Sequence, residues 1–463
     1  MRKSRPITAI AAVVLGILLF LYYSPIYSKK HDIVEDDANT HDVKLSEDMA
    51  NIRIRNLIEG EIGEFQLDKS RYTVTYPPDS SCYLRDKLQK FGLPNLHSFF
   101  ADPIGKYVAF NGLKLLQERW HFQTFICEFP DGKITKNDPI LADTLSFGWL
   151  PQYIVIITCP LPEKYQTRSS FKINLRVLPE NISSIDYVDV GGVNSVVETK
   201  AYENLTICQS GAAKKHFLAM CTMVKEVDEF IPPWLMYHRN MGVEHVYIYD
   251  NADSGGQSSM NESLRAFINS GFVTIIPWAH TTSPNKTYLE IQIAHENDCL
   301  WRHRHDALWM IKTDVDEYIQ PMDPSRPKIV DYLTDPKLYS LGGLRIQNWF
   351  FGRPPKLLNP EGNIIQRNVW RSKKPSLQNI GHDKNILRPM NVHYFKIHAI
   401  KLGGELKSLN PFKEMRLVHY RGDNPRSRHF KLPKFIVKDT SMVQLWYSVL
   451  QNEFSDNPYQ GRI

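Results

Sequence analysis

The stretch ALWMIKTDVDE, residues Ala307–Glu317, combines a predicted strand with the most specific polar motif in the chain. Its first part is a nearly continuous apolar run, which is typical of a strand covered on both faces. Asp314 and Asp316 follow at the carboxyl end, where open α/β sheets bind their ligands. Two carboxylates separated by one residue can both reach a hard divalent cation, Mn²⁺ or Mg²⁺, that also accepts phosphate oxygens. The stretch therefore predicts a metal and phosphate site, although acidic doublets of this spacing also cap turns.

Strands alternate with helices upstream of this stretch, from Lys214 onwards. The predicted strands are His216–Val224, Val243–Tyr249, Phe272–Ile276 and Ala307–Lys312, and the predicted helices are Glu226–Met241, Ser258–Ser270 and Thr287–His305. Such alternation predicts a mixed, mainly parallel sheet with helices on both faces. Because the carboxyl ends of parallel strands share one edge, we expect Asp250 on the same edge as Asp314 and Asp316.

The region from about residue 70 to 200 has a different pattern, with short β-branched and aromatic runs between Pro, Gly and Asp turns. The runs are Tyr72–Tyr76, Phe122–Phe129, Tyr153–Thr158 and Phe171–Val177. This pattern predicts an all-β accessory domain, a sandwich, that either binds a ligand or supports its neighbour by packing.

The N-terminal residues predict a membrane anchor. Arg2, Lys3 and Arg5 precede the apolar run Ile7–Tyr23, which is long enough for about 25 Å of helix, and Ser24–Tyr27 can extend it. A cleaved signal peptide usually has a shorter apolar region and a small-residue cleavage site. The expected organisation is a cytosolic tail (1–6), a signal anchor (7–27), a polar stem (28–65), a β-rich accessory domain (66–205) and a catalytic domain (206–463).

Sequons and cysteines agree with a body that lies in an oxidising lumen. The N-x-S/T sequons are at Asn181, Asn204, Asn261 and Asn285, and the cysteines are Cys82, Cys127, Cys159, Cys208, Cys221 and Cys299. These cysteines lack the C-x-x-C spacing of zinc sites, so disulfides are expected, with buried free thiols as the alternative.

The composition excludes several classes of protein. Hydrophobic residues make up 42% and charged residues 23% of the chain, which is ordinary for a chain with a packed core and excludes wholesale disorder. The net charge of +6 is scattered along the sequence, so a nucleic-acid partner has little support. The composition leaves the oligomeric state open.

Blocks of residues on both sides of Ala307–Glu317 carry a more specific signal. They are Cys221–His238 continuing into Met241–Asn251, then Asn297–Leu300 with Arg302 and Arg304, then Trp309–Ile319, Asn348–Gly352, Lys384 with Arg388–Pro389, His398, and His419–Arg421. In this order and spacing, over about residues 214–435, the blocks resemble glycosyltransferase family 92. One departure is Arg353–Pro355, which stands where a small Ser-rich turn is expected.

This resemblance implies a GT-A fold, an α/β Rossmann-like mixed sheet, in a catalytic domain that follows the β-rich domain and the transmembrane helix. It also implies a UDP-sugar donor, UDP-galactose in the characterised branches, a divalent metal, and β-galactosyl transfer with inversion onto a glycan, either an N-glycan or a polysaccharide. The protein would then be a single-pass type II Golgi enzyme with a lumenal catalytic domain. The alternatives are an inactive membrane-tethered glycan-binding protein, a family member with another nucleotide sugar, and a metal-dependent hydrolase or phosphotransferase.

In this interpretation Asp314, Asp316 and His419 would hold the metal, which neutralises charge on the leaving diphosphate. His419 is alternatively a phosphate contact or a neutral structural histidine. Glu317 either contacts the metal or caps a helix.

Further residues are candidates for substrate binding and proton transfer. The substrate-binding candidates are Asp250, Asp298, Arg302, Lys384, Arg388 and Trp349, and the candidate bases are Asp383, Glu361 and Asp423. Lys384 or Arg388 would support phosphate charge, and Asp250 would contact uridine or ribose. The partner of Asp298 is a nucleotide, a sugar hydroxyl or Arg302. Trp349, like Phe350 and Trp370, either stacks on a sugar or belongs to the core.

Overall fold

The computed structural model of the protein describes most of the chain between Cys82 and Ser455. The described residues are 82–84, 87–90, 93–115, 124–137, 140–145, 152–177, 201–210, 216–252, 260–280, 288–353, 362–377, 382–421 and 434–455. The predicted tail, anchor and stem lie outside them. None of the helices in these ranges has the length and apolar character needed to cross a bilayer.

The first eight strands form two four-stranded antiparallel sheets. They are β1 (Asn95–Asp102), β2 (Tyr107–Leu115), β3 (Phe125–Glu128), β4 (Ile134–Asn137), β5 (Ile140–Leu145), β6 (Gln152–Pro160), β7 (Ser170–Val177) and β8 (Ala201–Cys208). The strand orders are β1-β2-β6-β5 and β4-β3-β7-β8. Side chains from both sheets share one apolar cluster that includes Phe110, Ile157 and Leu175. The disulfides Cys127–Cys159 and Cys82–Cys208 add covalent links.

The remaining strands belong to the second half of the chain. They are β9 (His216–Val224), β10 (His245–Asp250), β11 (Val273–Pro277), β12 (Ala307–Lys312), β13 (Glu317–Pro321), β14 (Gly343–Ile346), β15 (Asn348–Gly352), β16 (Trp370–Ser372), β17 (Lys384–Leu387), β18 (Val392–Lys396), β19 (Ala399–Gly403), β20 (Leu406–Ser408), β21 (Met415–Tyr420) and β22 (Phe435–Lys438). Seven of them form a mixed sheet in the order β11-β10-β9-β12-β17-β14-β20. Strands β9 to β12 are parallel, as the alternation of strands and helices predicts.

The α-helices lie between and after these strands. They are α1 (Ile231–Asn240), α2 (Met260–Ser263), α3 (Arg265–Asn269), α4 (Tyr288–Arg302), α5 (Ile329–Leu333), α6 (Ile364–Arg367) and α7 (Ser441–Ser455). Helix α1 carries Pro232 and Pro233 in its first turn, where proline is tolerated, and ends before Gly242 at φ +95°. The helix predicted over Ser258–Ser270 is two shorter helices in the residues described.

A second sheet of five strands has the order β13-β21-β15-β16-β22. β13 pairs with β21 so that Glu317 lies opposite His419, and β15 pairs with β21 so that Phe350 lies beside His419. Because β13 begins just after Asp316, this pairing brings His419 close to Asp314 and Asp316.

The β-rich half packs directly on helix α4. Phe100 and Ile156 from the β1-β2-β6-β5 sheet share an apolar cluster with Ile293 and Leu300 of α4 and with Tyr394 of β18. This packing explains why β1 is buried on both faces, whereas β7 alternates between buried and more exposed residues. A packing role is therefore shown for the β-rich half, while the predicted domain boundaries stay a prediction.

Candidate active site

The mixed sheet has one edge at which the parallel strands end. β9 pairs in parallel with both β10 and β12, so Asp250 and Lys312 end the two strands that flank β9 at that edge. Asp250 is buried, and its Oδ1 accepts a hydrogen bond from the amide of Ala252 at 3.0 Å. The turn that begins at Thr313 lies at the same edge and carries the two aspartates. The common edge predicted from the strand pattern is thus the arrangement observed.

Glu317 closes the turn that carries the two aspartates. Its Oε2 accepts a hydrogen bond from the Asp314 amide at 2.9 Å, and its own amide donates to the Asp314 carbonyl oxygen at 3.1 Å. Glu317 is buried, and burial raises the pKa of its carboxyl to about 7, although Lys384 opposes this change. Glu317 therefore caps the turn that carries Asp314 and Asp316, where the sequence predicted a helix cap or a metal contact.

Lys384 lies at this edge because β17 runs antiparallel to β12 and begins where β12 ends. Its Nζ donates to Asp314 Oδ2 at 2.8 Å and lies 3.3 Å from Glu317 Oε2. Lys384 is only 3% exposed. Burial alone would lower the pKa of its ammonium group, but Asp314 and Glu317 raise that pKa above its usual value. A permanent positive charge therefore lies beside the predicted phosphate site.

Asp316 and His419 approach each other next to this lysine. His419 Nε2 lies 3.7 Å from Asp316 Oδ2, and both residues are buried. The other ring nitrogen, Nδ1, is 3.0 Å from Asn348 Oδ1 and 3.3 Å from Glu317 Oε1. Because the amide oxygen of Asn348 can only accept, Nδ1 donates to it, and this hydrogen bond turns Nε2 towards Asp316.

This arrangement of Asp316 and His419 fits a divalent cation. Carboxylate and imidazole groups are common protein ligands of divalent cations, and these two lie 3.7 Å apart in a buried place. The Asp314 carboxylate, with 46% of its side chain exposed, instead accepts from Lys384. Within the described ranges, no three His, Cys, Asp or Glu side chains are gathered as a complete metal site. The structure thus brings together two of the three predicted ligands, and the others would come from a bound substrate.

Asn348 connects His419 to the predicted base Asp383. Its amide donates to Asp383 Oδ1 at 3.0 Å, and its side-chain Nδ2 donates to Ser376 Oγ at 3.3 Å. Asp383 is buried, and its carbonyl oxygen accepts a hydrogen bond from His398 Nδ1 at 2.7 Å. A buried carboxylate that already accepts a backbone N–H is poorly placed to meet an acceptor hydroxyl. Asp383 therefore holds Asn348 in place, and its position does not support the base role predicted for it.

Aromatic rings lie beside His419. The ring of Phe350 is 5.4 Å from that of His419 and 5.1 Å from that of His382, and both Phe350 and His382 are half-buried. The sequence predictions gave no role to His382 or Asn348. Asn348 lies beside His419 because β15 pairs with β21, which joins segments far apart in the chain, and His382 lies two residues before Lys384. No local pattern could have revealed this arrangement.

Two predicted substrate contacts lie away from the site. Arg388 follows β17 at the end opposite Lys384, and its guanidinium packs 5.1 Å from the Trp309 ring and 4.7 Å from the Tyr339 ring. Trp349 is buried, and its indole N–H donates to the Ser372 carbonyl oxygen. The position of Arg388 does not support the phosphate contact predicted for it, and Trp349 belongs to the core.

Asp298 and Arg302 pair with each other inside the protein. Arg302 Nε and Nη2 donate to Asp298 at 3.0 and 2.8 Å, and the Tyr249 hydroxyl donates to Asp298 Oδ2 at 2.6 Å. The guanidinium carbon of Arg302 lies 4.3 Å from the centre of the Phe100 ring. Of the three predicted partners of Asp298, the structure shows Arg302. Both side chains are buried, which does not support the substrate binding predicted for this pair. The candidate bases Glu361 and Asp423 lie outside the described residues.

Glu296 provides a test of the buried charge beneath the site. Its Oε2 accepts from the Ile397 amide at 2.7 Å, and burial raises the pKa of this carboxyl to about 7 despite Lys384 and Lys312. Because the folded pKa exceeds the unfolded value, the stability gained from the neutral form is present below about pH 4.5 and is lost as the pH rises through 7. The Glu296→Gln variant keeps a neutral acceptor, so the difference between its free energy of unfolding and that of the wild type should rise by about 2.5 kcal/mol from about pH 5 to pH 8.

Urea unfolding at both pH values measures this gain. The control is Glu405→Gln, at an exposed glutamate, for which the difference from wild type should not change with pH. An equal pH dependence in Glu296→Gln and wild type would contradict a raised pKa at Glu296.

Comparison with known proteins gives one family match and several partial relatives. The profile of glycosyltransferase family 92 matches residues 214–457. A family 92 protein of Oryza sativa subsp. japonica is 26% identical over 215 residues, which are 45% of this chain and 34% of the relative. One of Ricinus communis is 28% identical over 198 residues, 42% of this chain and 31% of the relative. The chain thus spans about a third of the length of the curated relatives it matches.

Among solved structures, the chain is similar to a mannosyltransferase from Pyrobaculum calidifontis in complex with GDP-mannose and Mn²⁺. The sequence identity is 12% and the TM-score 0.25, over 48% of this chain and 60% of the mannosyltransferase chain.

Proposed function

The chain belongs to glycosyltransferase family 92, and we propose that it transfers galactose from UDP-galactose onto a glycan, an N-glycan or a polysaccharide, with inversion and with the assistance of Mn²⁺ or Mg²⁺. The observation that carries the proposal is the position of Lys384 and of the Asp316–His419 pair at the edge where the parallel strands end. Cationic and metal-binding groups at such an edge are suited to a sugar linked through a diphosphate.

Different residues of the site bind the diphosphate, the nucleoside and the metal of such a donor. Lys384 stabilises the negative charge of the diphosphate as the bond from sugar to phosphate breaks. Its contact with the diphosphate replaces the ion pair that it now forms with Asp314. Asp250, at the end of β10, is available for the nucleoside part of the donor. Asn348 fixes the tautomer of His419, so that His419 Nε2 and Asp316 together offer two metal ligands. A divalent metal bound there would act as a Lewis acid that neutralises the leaving diphosphate.

We further propose that the enzyme is a single-pass type II protein of the Golgi membrane with a lumenal catalytic domain. The support is the apolar segment at residues 7–27 with its preceding basic residues, together with the disulfide Cys221–Cys299 inside the catalytic half. Disulfides persist in the secretory pathway and are rare in the cytosol.

The test is a donor screen of the full-length chain purified in detergent. With Mn²⁺ and a panel of nucleotide sugars and glycan acceptors, UDP-galactose should give acceptor-dependent release of UDP and a β-linked product detected by mass spectrometry and NMR. EDTA should lower this turnover by about 100-fold or more, and added Mn²⁺ should restore it, because the metal offsets charge developed in the transition state.

Each other outcome of the screen has a distinct meaning. Acceptor-independent release of UDP would indicate a hydrolase, and glycan binding without turnover would indicate an inactive binding protein. Preference for another sugar would change the donor and keep the reaction class. Turnover unaffected by EDTA would contradict the metal.

A further inference from the structure

His398 occupies a tight turn beside the proposed donor site. The turn joins β18 to β19, and its first residue, Ile397, has φ +43°, a left-handed conformation that β-branched residues rarely adopt. The side chain of Ile397 is buried, and its amide is held by the Glu296 carboxylate at 2.7 Å. Strained backbone of this kind persists where surrounding contacts over-determine it, often at functional sites. Here it determines the position of His398.

The ring of His398 has a single possible tautomer in its neutral form. Nδ1 lies 2.7 Å from the carbonyl oxygen of Asp383, and a carbonyl oxygen can only accept, so Nδ1 carries the proton. Nε2 therefore carries a lone pair. Within the described residues the ring makes one hydrogen bond, from Nδ1, and the residue is half-buried. An oriented imidazole with an accessible lone pair is the arrangement that a general base requires.

The surroundings of His398 place it at the site and keep it neutral. The charged or titratable groups that act on it are Lys384, Asp314 and His382, all of which belong to the edge described above. Burial, followed by the charge of Lys384, lowers the pKa of His398 to about 3. A bound diphosphate would add negative charge and raise this pKa towards the working pH, where a base is most effective.

We propose that Nε2 of His398 accepts the proton of the acceptor hydroxyl during glycosyl transfer. This inference rests on the proposed function. As the hydroxyl oxygen forms its bond to the anomeric carbon, its O–H bond breaks and the proton passes to Nε2. The bond from the anomeric carbon to the phosphate oxygen breaks, and its electron pair leaves with the nucleoside diphosphate. His398 takes the role for which Asp383 is too deeply buried, and Asp383 orients it through its carbonyl oxygen.

The test compares His398→Asn with His393→Asn in the full-length enzyme, with UDP-galactose, Mn²⁺ and the acceptor found in the donor screen. Asparagine keeps an N–H near the position of Nδ1, so it can still donate to Asp383, but it lacks the basic Nε2. His398→Asn should lower kcat by about 100-fold or more, which is the usual contribution of a general base. Binding of UDP with Mn²⁺, measured by calorimetry, and the melting temperature should be unchanged. His393 is an exposed histidine of the same hairpin, and its variant should resemble wild type.

The pH profile separates proton transfer from a merely structural role. In wild type, kcat at saturating donor and acceptor should rise with pH as the base of the donor complex loses its proton, and in His398→Asn this limb should disappear. A kcat within about five-fold of wild type would overturn the assignment, as would a parallel loss of UDP binding, which would make His398 a positioning residue. Failure of the wild-type enzyme with every donor and acceptor would instead overturn the proposed function itself.

Discussion

Replacing Asp316 with alanine is expected to lower glycosyl transfer on the order of 1000-fold and to abolish binding of Mn²⁺. Asp316 is the carboxylate whose Oδ2 lies 3.7 Å from His419 Nε2, whereas Asp314 accepts a hydrogen bond from Lys384. Loss of Asp316 leaves one protein ligand, and the charge of the leaving diphosphate is no longer offset, which removes several kcal/mol of transition-state stabilisation. Turnover with the preferred donor measures the first effect, and Mn²⁺ titration by calorimetry in the presence of UDP measures the second.

The matched control for this variant is Asp323→Ala. Asp323 is a half-buried aspartate in a surface loop, and its Oδ1 accepts from the amide and the hydroxyl of Ser325. It should retain wild-type turnover and Mn²⁺ affinity. Because Asp316 is buried, the melting temperature of Asp316→Ala is measured alongside, and Asp316→Asn provides a second variant of similar volume. Undiminished Mn²⁺ binding in both Asp316 variants would contradict its assignment as a ligand.

The strands around Ala307–Glu317 were predictable because local patterns determine them. β12 has the predicted bounds Ala307–Lys312, since a continuous apolar run ends there at a turn with two aspartates. β9 also has its predicted bounds, His216–Val224, because it too is a nearly continuous apolar run. Parallel pairing then places Asp250 and Asp314 at one edge without knowledge of any distance.

The composition of the site was less predictable because it depends on strand direction and on contacts between distant segments. Lys384 and Arg388 are four positions apart, and sequence alone allows either to reach a phosphate. The antiparallel direction of β17 puts Lys384 at the edge and Arg388 at the opposite end. Similarly, side chains alternate along β15, so Phe350 faces His419 while Trp349 faces the core.

Replacing Asp298 with asparagine is expected to lower the free energy of unfolding by about 3–5 kcal/mol, the usual cost of removing one partner of a buried ion pair. Burial alone would raise the pKa of Asp298, but Arg302 and the hydrogen bonds that Asp298 accepts lower it, so the carboxylate is charged in the folded protein. Asparagine can still accept from the Tyr249 hydroxyl. The variant therefore removes only the negative charge and leaves the Arg302 guanidinium buried against Phe100. Urea unfolding of the purified chain measures the loss.

A second substitution distinguishes a structural ion pair from a substrate contact. In Asp298→Asn combined with Arg302→Met, the uncompensated charge is gone and a flexible apolar side chain occupies its place beside Phe100, so at least half of the lost stability should return. The double variant should then bind donor with nearly wild-type affinity, since neither side chain lies open to substrate. If Asp298 and Arg302 contact the nucleotide sugar, the double variant should instead lose donor affinity by 10-fold or more, about 1.4 kcal/mol, whether or not stability returns. If stability returns and donor affinity is kept, the pair is a structural link. It joins helix α4 to Phe100 of the β-rich half, and that half then supports the catalytic edge.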